Sequence, residues 1–342
     1  MQLPSIKDLK VKGKRILVRC DLDVPLKEIK NNERINYRIA DDTRLAKSLS
    51  SIKYLLKQGA SYVLIAGHLS PSAGGEKIST FFLLPYFSFH ISSGVSFWPE
   101  LEINLDPEEN STTILLENLR FFPGEESNDP GFTPKLASLA DIYVNEAFAA
   151  SHRLHASIIG VPKLLPAAFG FNFIKEVGKL SSVRNKPARP VTLILGGIKK
   201  DKLAHLKELA FWADQVLIGG KLPEYFQKKH QKVKVAHLNK EGKDINLDSL
   251  KEFVEVIRQS KTIVWAGPLG DFYQGNERGT RTVAQAIVDS QAVSIVGGGD
   301  TEAALTRLGL DKKISFICSG GGALLAFLAQ GTLPGIKAVK NW

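Results

Sequence analysis

A glycine-rich stretch at residues 292–305 is the first candidate for chemistry. A short apolar run there predicts a buried strand, which breaks at the three glycines 297–299 and continues after Asp300 as an Ala/Leu-rich helical pattern. A strand, a glycine turn and a helix start together aim free backbone N–H groups at an anion. The stretch predicts a phosphate or nucleotide seat. A tight packing turn would use the same residues, so both interpretations stay open here.

The second half of the chain repeats this device. Five strand-like runs end in glycines, after residues 195, 218, 266, 296 and 318. One glycine turn is weak evidence, but five turns at one sheet edge predict a bare backbone platform that could seat a nucleotide. The sequence contains neither the Gly-x-x-x-x-Gly-Lys-Ser/Thr phosphate loop nor a dinucleotide fingerprint after its early strands. The predicted nucleotide site is therefore of neither common type.

Strand-like runs in the first half end in charged and imidazole side chains instead. Arginine grips phosphate and carboxylate groups with two parallel hydrogen bonds. Any single arginine here would be explained as well by a surface ion pair. The joint placement of these residues predicts a site for a multiply phosphorylated small acid. The residues are Asp21, Asp23, His68, Glu117, Arg120, Asn145, Glu146, His152, Arg153 and His155.

These groups must be positioned by an α/β fold, because strand and helix patterns alternate almost throughout. Such alternation predicts parallel sheets with helices on both faces, and ligands bind beyond the carboxyl ends of their strands. We predict two doubly wound parallel-sheet domains that face each other across a hinged cleft. The predicted strands are 15–20, 62–66, 111–116, 142–144, 191–195, 215–218, 262–265, 293–296 and 314–318, and the clearest helices are 43–57, 134–140 and 175–183.

Length and composition fit this fold. A chain of 342 residues, 44% of them hydrophobic, usually forms two domains. We place the boundary near residues 169–189, with domains at 1–172 and 173–334 and a linker at 185–190. An anion-binding half and a glycine platform suggest phosphoryl transfer across a cleft whose closure excludes water.

Charge and composition limit the classes of partner that the chain could bind. The net charge of +10 suggests an anionic partner, but the sequence has no basic tail or aromatic series of the nucleic-acid-binding kind. The most apolar segment, 81–98, is too interrupted to span a membrane. The two cysteines, Cys20 and Cys318, lie in apolar runs and favour packed thiols in a reducing cytoplasm. We expect a cytoplasmic monomer that binds neither nucleic acid nor membranes.

Motifs along nearly the whole chain carry a family resemblance. They are Val18–Pro25, Leu115–Phe121, Tyr143–Phe148 with His152-Arg153, Leu195-Gly-Gly, Trp265-Ala-Gly-Pro, Gly297-Gly-Gly-Asp-Thr, Ser319-Gly-Gly-Gly-Ala and Leu333-Pro-Gly. In this order they resemble the phosphoglycerate kinase family, and the order is far more specific than any single motif.

The resemblance implies a phosphotransferase whose acceptor is a carboxyl group. Such an enzyme moves a phosphoryl group reversibly between 1,3-bisphosphoglycerate and ADP, giving 3-phosphoglycerate and ATP in glycolysis. It implies that the first domain binds phosphoglycerate, that the second binds MgADP or MgATP, and that a hinge closes the cleft. The tail 335–342 is expected to return to the first domain.

The resemblance also implies roles for individual residues. Arg44, Lys199 and Lys202 would be catalytic, and Asp300 would hold Mg²⁺. The substrate side would be Arg19, Asp21, Leu22, Asp23, Arg44, His68, Leu69, Arg120 and Arg153, with His152 and His155 as further candidates. The nucleotide side would be Gly196, Gly197, Lys199, Lys202, Gly220, Tyr273, Gly298, Gly299, Asp300, Thr301, Gly320 and Gly321.

Several positions depart from the family pattern. Asp23 adds a carboxylate where the family has asparagine, and His68-Leu-Ser-Pro71 lacks a substrate arginine that Lys77 could replace. The lysine loop is one residue short, which leaves the phosphate role open between Lys199 and Lys200. Ala266 and Tyr273 replace the family's asparagine and its ribose-binding glutamate, and segments around 222–250 are lost. These changes motivate the alternative of a weakened relative that binds ligands without efficient turnover.

Overall fold

The protein forms two compact α/β units. The structure, a computed structural model, describes residues 2–31, 34–70, 77–101, 112–226 and 230–339, with only the backbone described for 30, 31 and 34–36. By its internal contacts the chain divides into Met1–Val177 with Pro334–Trp342, and Gly178–Leu333. The short segment from Pro334 onward therefore belongs to the same unit as the first half of the chain.

Strands and helices alternate in both units. The strands are β1 (Arg15–Arg19), β2 (Leu26–Asn31), β3 (Arg34–Ile39), β4 (Tyr62–Ala66), β5 (Val95–Trp98), β6 (Thr113–Leu116), β7 (Ile142–Asn145), β8 (Ala167–Phe169), β9 (Val191–Leu195), β10 (Gln215–Ile218), β11 (Val233–Val235), β12 (Thr262–Ala266), β13 (Val293–Gly297) and β14 (Phe316–Cys318). The helices are α1 (Thr43–Lys57), α2 (Leu84–His90), α3 (Phe132–Ser138), α4 (Phe171–Asn185), α5 (Leu206–Trp212), α6 (Leu247–Gln259), α7 (Arg278–Ser290), α8 (Gly299–Arg307), α9 (Gly321–Gln330) and α10 (Pro334–Ala338).

Each unit is built on one six-stranded sheet. The first has the order β5-β6-β4-β1-β7-β8, the second β11-β10-β9-β12-β13-β14, and every pair is parallel. The strand order reverses between β1 and β7 in the first sheet and between β9 and β12 in the second. Ligands of open α/β sheets bind at such switch points, beyond the carboxyl strand ends.

The central strands are apolar because both of their faces are covered. Every residue of β9 and of β12 is buried, as expected for parallel strands between two helical layers. Helix α1 shows the complementary pattern, since Leu45, Leu49, Ile52 and Leu55 recur at helical spacing and face the core. The predicted fold class, two parallel-sheet α/β domains, is confirmed.

Two features differ from the sequence predictions. An antiparallel hairpin, β2–β3, was not predicted, and it pairs with neither six-stranded sheet. Helix α4 is longer than the predicted 175–183, and the division between the units falls inside it. The end of α4 is fixed in the second unit, because Arg184 Nε donates to Leu328 O (3.0 Å) and accepts Trp212 Nε1 at its carbonyl (3.0 Å).

Both cysteines are buried thiols outside any disulfide, and burial raises the pKa of Cys20 to about 12. Within the described part of the chain, no helix is long and apolar enough to cross a membrane.

Candidate functional site

The carboxyl end of β1 carries a buried guanidinium. Arg19 closes the strand with a side chain that is almost wholly buried. Its Nε donates to Ser157 Oγ (2.9 Å) and its Nη1 donates to Cys20 O. Its Nη2 is buried and has no hydrogen-bond partner among the described residues. A buried donor without a partner is costly, so this atom is suited to receive an anionic ligand.

Two histidines lie together beside Arg19. His68 follows β4, and its Nε2 lies 2.7 Å from Glu125 Oε1, while its ring centroid is 5.0 Å from that of His155. Burial, then the charges of Arg19 and Arg120, hold the pKa of His68 far below its usual value. Burial likewise lowers the pKa of His155 to about 4. Both rings are therefore neutral at pH 7 and act as hydrogen-bonding groups rather than cations.

Arg44 lies in the first turn of α1, against the loop after β1. Its Nη1 donates to Asp23 O (2.6 Å) and lies 3.7 Å from Asp21 Oδ1 and 4.0 Å from Asp23 Oδ2. Asp23 Oδ1 also accepts Ser70 N (2.8 Å). The carboxylate of Asp23 is therefore held close to the Arg44 guanidinium.

Arg120 and Lys77 meet at the end of β6. Arg120 Nε donates to Glu126 Oε1 (3.1 Å) and its Nη1 donates to Ser70 Oγ, while Lys77 Nζ donates to the Arg120 carbonyl (2.6 Å). The ammonium group of Lys77 therefore lies beside the backbone of Arg120. Pro71, in the segment that lacks the family arginine, lies outside the described residues.

The remaining predicted substrate residues differ in exposure. Arg153 is exposed and His152 half-buried. The side chains of Leu22 and Leu69 are fully buried in the core of the first unit, so a ligand could contact these two residues only through their backbone.

Glu146, at the end of β7, has a structural role instead. Its carboxylate accepts Ser51 Oγ (2.6 Å) and the N–H groups of Asn172 (3.1 Å) and Phe173 (3.0 Å), which open helix α4. Burial raises its pKa to about 7. A Cβ on Gly170 would come within 2.2 Å of this carboxylate, so the glycine is required for the cap. This strand-end carboxylate stabilises a helix start.

The glycine platform lies at the switch point of the second sheet. Gly196 N donates to Ala266 O (2.9 Å), and Lys202 Nζ donates to Gly196 O (2.8 Å). A Cβ on Gly267, which has φ +100°, would lie 2.2 Å from both Gly196 O and Lys202 Nζ. Glycine is needed here because the backbone and the lysine amine occupy the space of a side chain. Gly197 (φ +81°) belongs to the same loop, packed against Gly220 (φ +61°).

Lys202 is the half-buried cation of this platform. Burial lowers its pKa to about 8, and the carboxylates of Asp300 and Asp201 only partly oppose that effect. The charge of Lys199 also lowers it, which places Lys199 in the electrostatic neighbourhood of Lys202. Lys200 instead lies over the Tyr225 ring, 5.8 Å from its centroid. Lys199 is therefore the lysine near Lys202, and Lys200 is the one that lies against Tyr225.

The glycines at residues 297–299 have different surroundings. A Cβ on Gly297 would lie 2.5 Å from Leu324 Cδ2, so this glycine is a packing residue. Gly298 has φ +106° with no atom closer than 3.5 Å to its Cβ position, and it precedes helix α8. Thr301 is buried and its Oγ1 accepts Gly267 N (2.9 Å), which ties α8 to the platform. Asp300 is exposed in the first turn of α8.

Helix α9 also begins at this edge. A Cβ on Gly321 would lie 3.0 Å from Gly297 O, so the starts of α8 and α9 lie close together. Gly320, the residue before α9, is buried, and Tyr273 has an exposed side chain. Two adjacent helix N-termini give positive potential suited to phosphate.

The sequence predictions did not include Glu125 or Ser157, which form hydrogen bonds with His68 and Arg19. Their roles depend on a contact across 32 positions of sequence, and no local pattern signals it. The described residues contain one group of His, Cys, Asp or Glu close enough to hold a metal ion, formed by His68, Glu125 and His155. Asp300 is not in that group, and a lone carboxylate can bind Mg²⁺ together with nucleotide phosphates.

Comparisons with known proteins agree with one another. The sequence profile of the family described as phosphoglycerate kinase matches residues 6–241 and 230–331. A phosphoglycerate kinase of Herpetosiphon aurantiacus is 34% identical over 403 aligned positions, covering 100% of both chains. One of Rubrobacter xylanophilus is 35% identical over 402 positions, covering 100% of this chain and 99% of the relative. Both alignments exceed 342 residues, so this chain lacks segments that the relatives have.

Solved structures show the same likeness. The phosphoglycerate kinase of Coxiella burnetii matches with a TM-score of 0.75 and 28% identity over 99% of both chains. That of Pyrococcus horikoshii matches with a TM-score of 0.80 and 24% identity over 98% of both chains, which supports the fold.

Proposed function

Since the chain belongs to the phosphoglycerate kinase family, we propose that it transfers a phosphoryl group reversibly between 1,3-bisphosphoglycerate and ADP, giving 3-phosphoglycerate and ATP. One observation carries the proposal. The carboxyl edge of the first sheet gathers arginines and histidines, and the switch point of the second gathers glycines, a half-buried lysine and two helix starts. These are the two kinds of surface that a phosphorylated acid and a nucleotide need.

In the proposed substrate site, positive charge is supplied mainly by arginine. Arg19, Arg120 and Arg153 would bind the phosphate and carboxylate of phosphoglycerate, with Lys77 as a neighbouring cation. His68 would contribute a neutral hydrogen-bonding group. Arg44 would leave its hydrogen bond to Asp23 O and its longer ion-pair contacts with Asp21 and Asp23 to stabilise the charge on the transferring phosphoryl group.

In the proposed nucleotide site, the backbone does most of the binding. The N–H groups around Gly298, Gly299 and Thr301 and the start of α8 would hold phosphate oxygens. Lys202 and Lys199 would neutralise them. Asp300, an exposed carboxylate at that helix start, fits the single protein ligand that Mg²⁺ often takes beside phosphates. When bound, the cation would neutralise negative charge on the phosphates.

The reaction needs little covalent help from the protein. The phosphorus–oxygen bond to the carboxyl group of 1,3-bisphosphoglycerate breaks, and a bond from a β-phosphate oxygen of ADP to the same phosphorus forms. Positioning and positive charge account for most catalysis of this kind. The carboxyl group as partner, Mg²⁺ as cofactor, a monomeric state and a cytoplasmic location are part of the proposal. The two buried thiols, neither of them in a disulfide, support that location.

A coupled assay tests the proposed function. Purified protein is given 3-phosphoglycerate and MgATP, and formation of 1,3-bisphosphoglycerate is followed, with each substrate omitted in turn. We expect turnover with both substrates and a fall on the order of 1,000-fold in kcat for Arg44→Ala, because a cation at the transferring group is lost. Wild-type protein without turnover would overturn the proposal. No comparison favours the weakened relative that the sequence departures suggested.

A further inference from the structure

Glu125 is a fully buried carboxylate that accepts three hydrogen bonds. Its Oε1 accepts Ser157 Oγ (2.6 Å) and lies 2.7 Å from His68 Nε2, and its Oε2 accepts Ser157 N (3.0 Å). A buried carboxylate is tolerated only with such partners, and it can only accept. The direction of each hydrogen bond is therefore determined.

This direction determines which nitrogen of His68 carries its proton. Because Glu125 accepts, Nε2 of His68 must donate. The ring is neutral at pH 7, because burial and two arginines lower its pKa, so its other nitrogen, Nδ1, is a hydrogen-bond acceptor. In this form His68 can receive a hydroxyl group of a ligand, and it offers no positive charge to an anion.

The same carboxylate also orients Arg19. Ser157 has one hydroxyl hydrogen, which goes to Glu125, so its oxygen accepts Arg19 Nε (2.9 Å). With Nη1 donating to Cys20 O, the guanidinium plane is fixed at two points. The buried Nη2 is then the donor left for a ligand. Glu125 thus controls a histidine directly and an arginine through one hydroxyl.

A metal ion would be another use of this cluster, since ligand atoms of His68, Glu125 and His155 lie within 4.8 Å of one another. The positive charge of Arg19 opposes the binding of a cation there. Its buried guanidinium donates to the hydroxyl of Ser157, and that hydroxyl donates its own hydrogen to Glu125. Both Glu125 oxygens already accept hydrogen bonds, which a cation would have to displace. The hydrogen-bonded arrangement is therefore the favoured one.

We propose that Glu125 is a positioning residue for the acid substrate, holding His68 as an acceptor and Arg19, through Ser157, as a donor. The chemistry fits a ligand that carries a hydroxyl group beside an anionic group, as 3-phosphoglycerate does. The identity of that ligand rests on the proposed function.

The test compares Glu125→Gln and Ser157→Ala with wild type by calorimetry and by steady-state kinetics. Glu125→Gln keeps the side-chain volume and removes one acceptor. We expect the Kd and KM for 3-phosphoglycerate to rise roughly tenfold, since a hydrogen bond to a charged group is lost. The Kd for MgADP and the kcat should change less than about twofold. Glu100→Gln, the same change at an exposed position of the same unit, should match wild type.

Nitrogen-15 NMR of the imidazole rings supplies a readout that general destabilisation would not produce. We expect His68 to be protonated at Nε2 in wild type and to show a mixture of both neutral forms in Glu125→Gln. Unchanged 3-phosphoglycerate affinity, or equal weakening of both ligands, would overturn the proposal. If Glu125→Gln does not fold, unchanged affinity in Ser157→Ala overturns it.

The calorimetry separates this inference from the proposed function. Wild-type protein that binds 3-phosphoglycerate without turnover, together with the expected weakening in Glu125→Gln, would reject the kinase activity and support the positioning role. Wild-type turnover, with no effect of Glu125→Gln or Ser157→Ala on ligand affinity, would support the kinase activity and reject the positioning role. A wild-type protein that binds only a metal ion at His68 and Glu125 would overturn the inference.

Discussion

The two candidate surfaces differ in which part of the chain would bind an anion. In the first unit, Arg19 and His68 are held by side-chain hydrogen bonds to Ser157 and Glu125. In the second unit, the peptide backbone forms the surface, and the absence of a Cβ on Gly267 makes room for the Lys202 amine. The first surface should therefore be sensitive to removal of a polar atom, and the second to addition of a carbon.

Gly267→Ala should break the second surface with the largest effect. Its Cβ would meet Gly196 O and Lys202 Nζ at 2.2 Å, with φ at +100°. We expect a loss of about 3 kcal/mol in unfolding free energy, from backbone strain and overpacking. MgADP affinity should fall on the order of 100-fold, because the lysine amine is displaced from the platform. Thermal unfolding and calorimetry measure the two effects.

Gly242→Ala is the matched control for that variant. Gly242 also has positive φ (+67°), but no atom lies within 4 Å of its Cβ position. It should cost only about 1 kcal/mol of strain and leave MgADP binding unchanged. Equal MgADP affinities in the two variants would show that the crowding at Gly267 has no part in nucleotide binding.

The pH dependence of kcat/KM for MgADP should distinguish the second surface from the first, and we expect an effect of intermediate size. Lys202 has a pKa lowered to about 8 by burial, so it is charged below pH 8 and loses its proton above it. We expect kcat/KM for MgADP to fall roughly tenfold for each pH unit above 8, because the neutral amine no longer attracts phosphate. Initial rates from pH 6.5 to 9.5 test this expectation.

The control for the pH profile is Lys202→Met, which should have lower activity without the fall above pH 8. The histidines of the first surface should add no step between pH 6 and 8, since burial lowers the pKa of His155 to about 4 and that of His68 further. A wild-type profile that stays flat to pH 9.5 would rule out Lys202 as the titrating group.

Asp23→Asn should produce the smallest effect, and in the direction of gain. The asparagine can keep the hydrogen bond from Ser70 N while removing a negative charge 4.0 Å from Arg44. We expect the KM for 3-phosphoglycerate to fall about threefold at low salt, since a half-exposed charge contributes little. The difference should shrink in 0.5 M salt because of screening. A higher KM in the variant would instead give Asp23 a positive role in binding.

Much of the fold was predictable because parallel strands buried on both faces are apolar and β-branched. Helix α1 was predicted with its observed bounds, and β4, β9 and β10 likewise. The hairpin β2–β3 escaped because the prediction sought continuous apolar runs, and these two strands carry lysines, arginines and asparagines and join neither six-stranded sheet. The alternation of polar and apolar residues in β3 is the signal of a half-buried strand that could have found it.

The residue types of the candidate site were predictable from the sequence, but their protonation states and hydrogen-bond partners were less so. Strand-end positions led to His68 and Arg120, since sequence alternation indicates where parallel strands end, whereas Arg19 came from the family resemblance. The prediction treated the histidines as part of an anion-binding ring, whereas burial makes them neutral. The contacts of Glu125 with His68 and Ser157 join residues that are 57 and 32 positions apart. Charge state and partner choice of this kind depend on tertiary packing, which local sequence does not encode.

Calorimetry of two variants with two ligands tests the central claim most directly. Glu125→Gln and Gly267→Ala are each titrated with 3-phosphoglycerate and with MgADP, beside wild type. We predict that Glu125→Gln loses affinity for 3-phosphoglycerate alone and that Gly267→Ala loses affinity for MgADP alone. If each variant weakened the other unit's ligand, or both ligands equally, the assignment of the acid to the first surface and the nucleotide to the second would be contradicted.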